Sequence, residues 1–376
     1  MHRILLKICI RACSVIVVLL LPSLLGAQLA GDIFKVTAVI LFVSELTLVH
    51  FSIYSHRYIS MSYRGIELFA LHRRNIFFLL ILSILVCAAI IFLSLSNYIS
   101  NSLTLFTILL LCIIHALGRV MIVIVDEAYY IVFGDALPLI FASIVCILLS
   151  AKDVELFFFC KSLASIPYII WCTWLLLKNK TSVQTDLMEN WPKSYFKNFF
   201  LPVSISALSL PFLNAFIFSL LSSLDSVQLR LAQALTGPIT VVVANAKSAY
   251  LSSKNKYSAV RFGFFFGVLY LIVISPIFLV TVLSGPLDLF GLHFNSEIIS
   301  GFYIMAIPAF FTLKYIEDIV YSAYSLSRTR LAVYQFIIAT ILSLVALKLN
   351  LSALNASCIF ATHTLITIFF IRKASR

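Results

Sequence analysis

Lys178–Lys197, KNKTSVQTDLMENWPKSYFK, is the longest polar run in a chain of 376 residues. Hydrophobic stretches lie on both sides of it, six before and six after. Each approaches the ~20 apolar residues that a helix needs to cross a bilayer. Reading outward from the polar run, the spans expected before it are about 4–25, 35–54, 75–96, 102–124, 130–150 and 155–177. Those expected after it are about 198–221, 227–248, 259–283, 298–321, 331–349 and 352–371. The chain therefore divides into 1–177, a six-helix lobe; 178–197, a basic linker; and 198–376, a second six-helix lobe. Trp191-Pro192 marks the end of the linker as an interfacial segment leading into the seventh span.

Composition agrees. The chain is 62% hydrophobic and 11% charged, whereas a soluble domain is roughly 45–50% apolar and about a quarter charged. There is too little polar side chain here to cover a soluble globule. All spans are expected to be helices, because a backbone facing lipid must satisfy its own hydrogen bonds. The fold class is all-α, polytopic, with about 12 transmembrane helices. The even alternation of an outer-membrane barrel is absent. Only 11 residues are Gly, which reads as few close helix crossings or as compositional drift.

The net charge of +12 does not point to nucleic acid, since no basic domain stands outside the spans. Of the 27 Lys and Arg, 21 fall on one set of loops and ends. Such a bias marks the cytoplasmic side, so both termini and the linker are expected there, with the linker lysines against the lipids of the inner leaflet. Arg3, Lys7 and Arg11 precede an apolar run that ends in LLGAQLA. That pattern has two readings, a cleavable secretory signal or a retained first span; the count of 12 takes the second. The eight cysteines all lie in hydrophobic runs with no CxxC, so neither a zinc site, nor a disulfide framework, nor any cofactor is expected.

The loops opposite the linker are short, the longest being about 284–297. Function must then reside in the bundle or at its rims. Ionisable side chains inside spans cost about 2.5–3.5 kcal/mol or more at the bilayer centre, so they usually face a bundle interior or a wet cavity. Arg230 stands near the outer end of the eighth span, with Gln228 and Gln233 close by and Gly237-Pro238 beyond. It lines a cavity, or else it snorkels to the outer interface or pairs with Asp225. Lys35 opens the second span as a cavity cation or an interfacial anchor. Glu45, deeper on that span, is a candidate for ion coupling, because burial makes a carboxylate's protonation reversible; its alternative is a structural pair with a neighbouring cation. Lys161 lies two turns into the sixth span. Lys314, Glu317 and Asp318 share one helix face, either neutralising each other or forming a cytoplasmic gate. His115 and Arg119 are four apart on the fourth span. His363 reads as a hydrogen-bonded helix contact. Prolines recur within spans, and Pro202 and Pro211 make the seventh span pliable. No Walker loop, HExxH or other enzyme motif is present.

Two six-span halves, cytoplasmic ends and a basic central linker resemble the multidrug/oligosaccharidyl-lipid/polysaccharide exporter superfamily, and within it the O-antigen and polysaccharide-unit flippases. LLGAQLAGDIFKVTAVILFVSEL is similar to the family's first outer turn running into span two. LDSVQLRLAQALTGPITVVVANAKSAYLS is similar to its eighth span, and VYSAYSLSRTRLAVYQF to its cytoplasmic turn after span ten. The outer turn reads LLGAQLAGD in place of the family's Leu-Gly-Pro-Glu-x-Tyr/Phe-Gly, and no family site residue is carried over. The resemblance implies a non-enzymatic flippase of lipopolysaccharide biosynthesis in the bacterial inner membrane. It would move an undecaprenyl-diphosphate-linked oligosaccharide between leaflets by alternating access, beside a polysaccharide polymerase and chain-length proteins. A diphosphate crossing hydrocarbon needs cations, and Arg230, Lys35 and Lys161 would serve in the outer half, Lys314 and Arg119 in an inward-facing state. Two other readings remain open. A membrane-embedded O-antigen polymerase would need larger outer loops than these. A drug or cation antiporter of the same superfamily would favour carboxylates over the cations found here.

Overall fold

A computed structural model describes residues 15–60, 111, 136–150, 153–178, 201–251, 256–284, 287–289, 292–315 and 328–374. Among them the helices are α1 (Val15–Leu25), α2 (Ala27–Ser60), α3 (Leu137–Leu148), α4 (Val154–Lys178), α5 (Leu201–Leu220), α6 (Ser223–Leu251), α7 (Lys256–Ser284), α8 (Ser296–Lys314), α9 (Arg328–Lys348) and α10 (Ala353–Ala374). The expected all-α, polytopic class is the class found. The expected spans at 75–96 and 102–124, Leu111 apart, and the linker beyond Lys178 lie outside the described residues.

Two details differ from the sequence reading. The expected outer loop at 284–297 holds a short antiparallel hairpin, β1 (Leu287–Leu289) with β2 (Leu292–Phe294), in which Asp288 pairs with His293. The tenth span, expected to 321, is described as helix only to Lys314, where Tyr315 (φ −108°, ψ 21°) forms the cap. Lys314 in that last turn suits the negative end of the helix dipole.

The chain forms two compact units, Met1–Lys35 with Phe216–Arg376, and Val36–Ala215. The division therefore falls within α2 and within α5, and the first 35 residues group with the second-half helices. In the first unit, α8 lies between α6 and α10, with α7 against α6 and α8 and α9 against α10. Lipid tails are as apolar as Leu, so hydrophobicity alone does not hold such helices together; close packing and interhelical hydrogen bonds do. Ile298, Ile299, Phe302 and Ala306 are buried on α8. At Gly301 an added Cβ would come within 2.8 Å of Ser357 Oγ on α10 and 3.3 Å of Ala232 Cβ on α6. Gly263 and Gly267 on α7 are crowded in the same way. Among the described glycines, Gly31, Gly263, Gly267 and Gly301 stand at close helix contacts, so the scarcity of glycine does not mean an absence of close crossings.

Two hydroxyls tie the proline-bearing helices together. Pro238 interrupts α6, and the Leu235 carbonyl in the disturbed turn accepts the Tyr270 hydroxyl of α7 at 2.8 Å. One turn before Pro276 on α7, the Leu271 carbonyl accepts both Ser275 Oγ (2.8 Å) and Tyr303 Oη of α8 (3.1 Å). On the opposite side α7 exposes Phe264, Phe265, Ile272, Val273 and Leu283. A patch of that size belongs against lipid or a partner, not water. Gly263–Thr281, Ser296–Lys314 and Ala353–Arg372 are, among the described residues, long and apolar enough to cross a membrane.

In the second unit α3 and α4 form a helical hairpin. Ser150, at φ +50°, turns the chain after α3, and Phe157, Phe158 and Cys160 of α4 are buried. Phe42 of α2 meets Phe212 of α5 edge to face at 5.8 Å between centroids.

Candidate functional site

The sharpest polar constellation of the first unit begins at Gly26. Its φ of +86° ends α1, and its N–H donates to the Pro22 carbonyl at 2.9 Å. Left-handed backbone costs an L-residue about 1–2 kcal/mol and costs glycine little. The turn launches α2 one residue later, eight residues before the expected start of the second span. Gln28, Gly31, Asp32 and Lys35 then fall at i, i+3, i+4 and i+7, one face of the helix.

That face meets the start of α6. Ser222 caps α6, its Oγ accepting the Asp225 N–H at 3.1 Å and donating to Asp225 Oδ2. This is a Ser-x-x-Asp version of the capping box. Asp225 Oδ1 also accepts the Ala353 N–H at 3.2 Å, so one carboxylate serves the N-termini of α6 and α10, where negative charge is favoured. Beside it, Ser223 Oγ donates to Asp32 Oδ1 at 2.7 Å. Gln28 Nε2 donates to the same hydroxyl at 3.3 Å and to Asp32 Oδ2 at 3.5 Å. Lys35 Nζ lies 3.5 Å from Ser223 Oγ and 3.8 Å from Asp32 Oδ1. Gly31 permits the approach, because a Cβ there would run into the Ser223 backbone.

Two turns further along α6, about 10 Å at 1.5 Å per residue, Arg230 projects from the same face as Ser223. It is half-buried, and its guanidinium donates to Gln233 Oε1 at 3.4 Å. Lys35 and Arg230 thus stand on two helices of one unit that touch at Gly31 and Ser223. Lys161, only 4% exposed, lies on α4 of the other unit, as does half-buried Glu45 on the deeper part of α2. Lys314 is exposed at the end of α8, its Nζ 5.8 Å from the centre of the Tyr315 ring. Arg119, His115, Glu317 and Asp318 lie outside the described residues. Within α10, His363 Nε2 is buried without a hydrogen-bond partner, which differs from the bonded helix contact expected of it.

Sequence reasoning passed over Asp32, Gln28 and Ser223. The signal was present in the helical spacing of Gln28, Asp32 and Lys35 and in the Ser222-Asp225 cap, but three polar residues in a row of turns read as loop when hydropathy alone is scored.

No protein-family model matches the chain, and no curated protein does so. Solved structures do. A multidrug resistance MATE family transporter of the MOP superfamily, in an inward-facing conformation, superposes with a TM-score of 0.58 at 13% identity, covering 97% of this chain and 94% of the other. A MATE structure in complex with MaL6 gives 0.57 at 12% identity over 99% and 95%. A MATE structure in a bent conformation gives 0.51 at 14% over 99% and 94%. The chain shares the fold of these MATE structures, a polytopic helical architecture.

Proposed function

We propose that this protein is a membrane transporter working by alternating access, and not an enzyme. The observation that carries this is the agreement with the MATE fold along nearly the whole chain, at 97–99% coverage. Prolines within helices support it: Pro167, Pro211, Pro238, Pro276 and Pro308 all sit inside described helices, and in membrane bundles neighbouring groups can re-satisfy a carbonyl freed by proline, so such segments can bend without stranding polar groups.

Two cargo classes follow from different observations. The names of the fold neighbours favour a drug or cation antiporter. The in-span cations favour an anionic cargo, an undecaprenyl-diphosphate-linked oligosaccharide passed between leaflets of a bacterial inner membrane with both termini cytoplasmic. Lys161 is nearly sealed in α4, and Arg230 and Lys35 are part-buried; cations placed within spans usually face a bundle interior or a wet cavity, where they suit an anionic cargo. On the anionic reading Arg230, Lys35 and Lys161, with Arg119 and Lys314, contact the diphosphate, and Glu45 couples an ion. Both readings use one machine, and one pair of assays separates them. Proteoliposomes are loaded with ethidium or with a short-chain polyprenyl diphosphate sugar, and export or flipping is followed. Ethidium transport without flipping selects the antiporter, and flipping alone selects the lipid-linked cargo. Neither activity, with protein correctly inserted, sinks the transport reading. On the anionic reading Arg230→Ala cuts surface polysaccharide sharply at unchanged protein level.

A further inference from the structure

We propose that the Asp32–Ser223 pair is a reversible latch within the first unit, holding the start of α2 against the start of α6; it rests on the alternating-access reading. Four features set it apart from permanent packing. First, the polar contacts between these helices converge on one hydroxyl. Ser223 Oγ holds Asp32 at 2.7 Å, while Gln28 at 3.3 Å and Lys35 at 3.5 Å reach it only loosely.

Second, releasing Ser223 strands no charge. Asp32 retains Lys35 at 3.8 Å and Gln28 at 3.5 Å on its own helix, and a serine hydroxyl at a helix start is readily taken up by water. A buried carboxylate bonded only across the contact would resist opening, because leaving it unpaired carries its full desolvation penalty. Third, water reaches the charged members of the cluster beside the buried Ser223: the Asp32 side chain is 33% exposed and that of Lys35 18%. Fourth, Gly31 meets the Ser223 backbone with no side chain between, so at that point the two helices can part without moving a rotamer. The neighbouring anchor is built differently. Asp225 is bound by Ser222 and by the α10 N-terminus, so the start of α6 stays fixed to its own half when the latch opens.

The test uses the full chain with native cysteines replaced. Asp32→Cys with Ser223→Cys is expected to crosslink in membranes under mild oxidant. Separately, Gln233→Cys reports access along the Ser223 face of α6, through its labelling by a membrane-impermeant maleimide applied from the side on which α2 begins. Losing one charge-assisted hydrogen bond shifts a closed-to-open ratio about tenfold, so Ser223→Ala and Asp32→Asn should each raise the labelling rate by about that factor. Failure of the cysteine pair to crosslink overturns the latch, and so does an unchanged labelling rate in both variants, the result of a static staple. Neither readout involves cargo, so a protein that moves neither ethidium nor lipid-linked sugar loses the transport reading while the labelling still decides the latch.

Discussion

Gly31→Ala isolates the closest approach in the first unit. The new Cβ would lie 2.6 Å from the carbonyl carbon of Ser223 and 2.7 Å from its Cα. Both are backbone atoms, so no side chain can swing aside. An ordinary contact of about 3.5 Å requires α2 and α6 to part by about 1 Å. That stretches the 2.7 Å bond from Ser223 to Asp32 past the limit of a useful hydrogen bond. Overpacking of this kind costs about 1–3 kcal/mol, and the weakened bond adds about 1 kcal/mol. Alanine returns about 1 kcal/mol through its higher helix propensity. The net expectation is a loss of about 1–3 kcal/mol, read by thermal unfolding of the detergent-solubilised protein. Gly237→Ala is the comparison without interhelical crowding: apart from its chain neighbours its Cβ would meet only Val15 Cγ2, at an ordinary 3.5 Å, so its loss should be the smaller of the two and limited to the crowding of a Cβ against the following Pro238. If Gly31→Ala melts as high as Gly237→Ala, the close approach of the two backbones is wrong.

Other perturbations follow from single contacts. Gly26→Ala forces an L-residue to φ +86° with free space around it, so the expected loss, about 1–2 kcal/mol, is purely conformational and should be nearly the same for Gly26→Ser. Asp225→Ala removes the partner of both Ser222 and the Ala353 N–H; about 1–2 kcal/mol is expected, and Asn should recover part of it because its carbonyl can still accept one N–H. Tyr270→Phe removes the hydroxyl bond from α7 to the Leu235 carbonyl, costing about 1 kcal/mol; an unchanged melting point would show that this bond contributes nothing to holding α6 and α7 together.

Much of the architecture was legible because lipid imposes length. The expected spans at 155–177, 198–221, 259–283, 331–349 and 352–371 lie within a few residues of α4, α5, α7, α9 and α10. The errors share one physical origin. Span two was expected from residue 35 but α2 begins at Ala27, and span eight from 227 but α6 begins at Ser223. In both cases hydropathy discounted polar residues, Gln28 and Asp32 in one, Ser223 and Asp225 in the other, that are helical because each finds its partner across a helix contact or at a cap. A periodicity count cannot see a partner 191 residues away. The candidate cations were legible as costly residues; which of them stand on facing helices was not, since that depends on packing.

Gly31 also bears on how such chains diverge. Exposed apolar positions such as Leu24, Phe265 and Leu283 need only an apolar side chain, so their identities are expected to be free to change. A position that admits only a hydrogen atom cannot wander, and it restrains its neighbours at 28, 32 and 35 through the helix face they share. The most durable signature of this lineage is therefore expected to be a short Gln-x-x-Gly-Asp-x-x-Lys word, recoverable in distant descendants after the surrounding hydrophobic text has been rewritten.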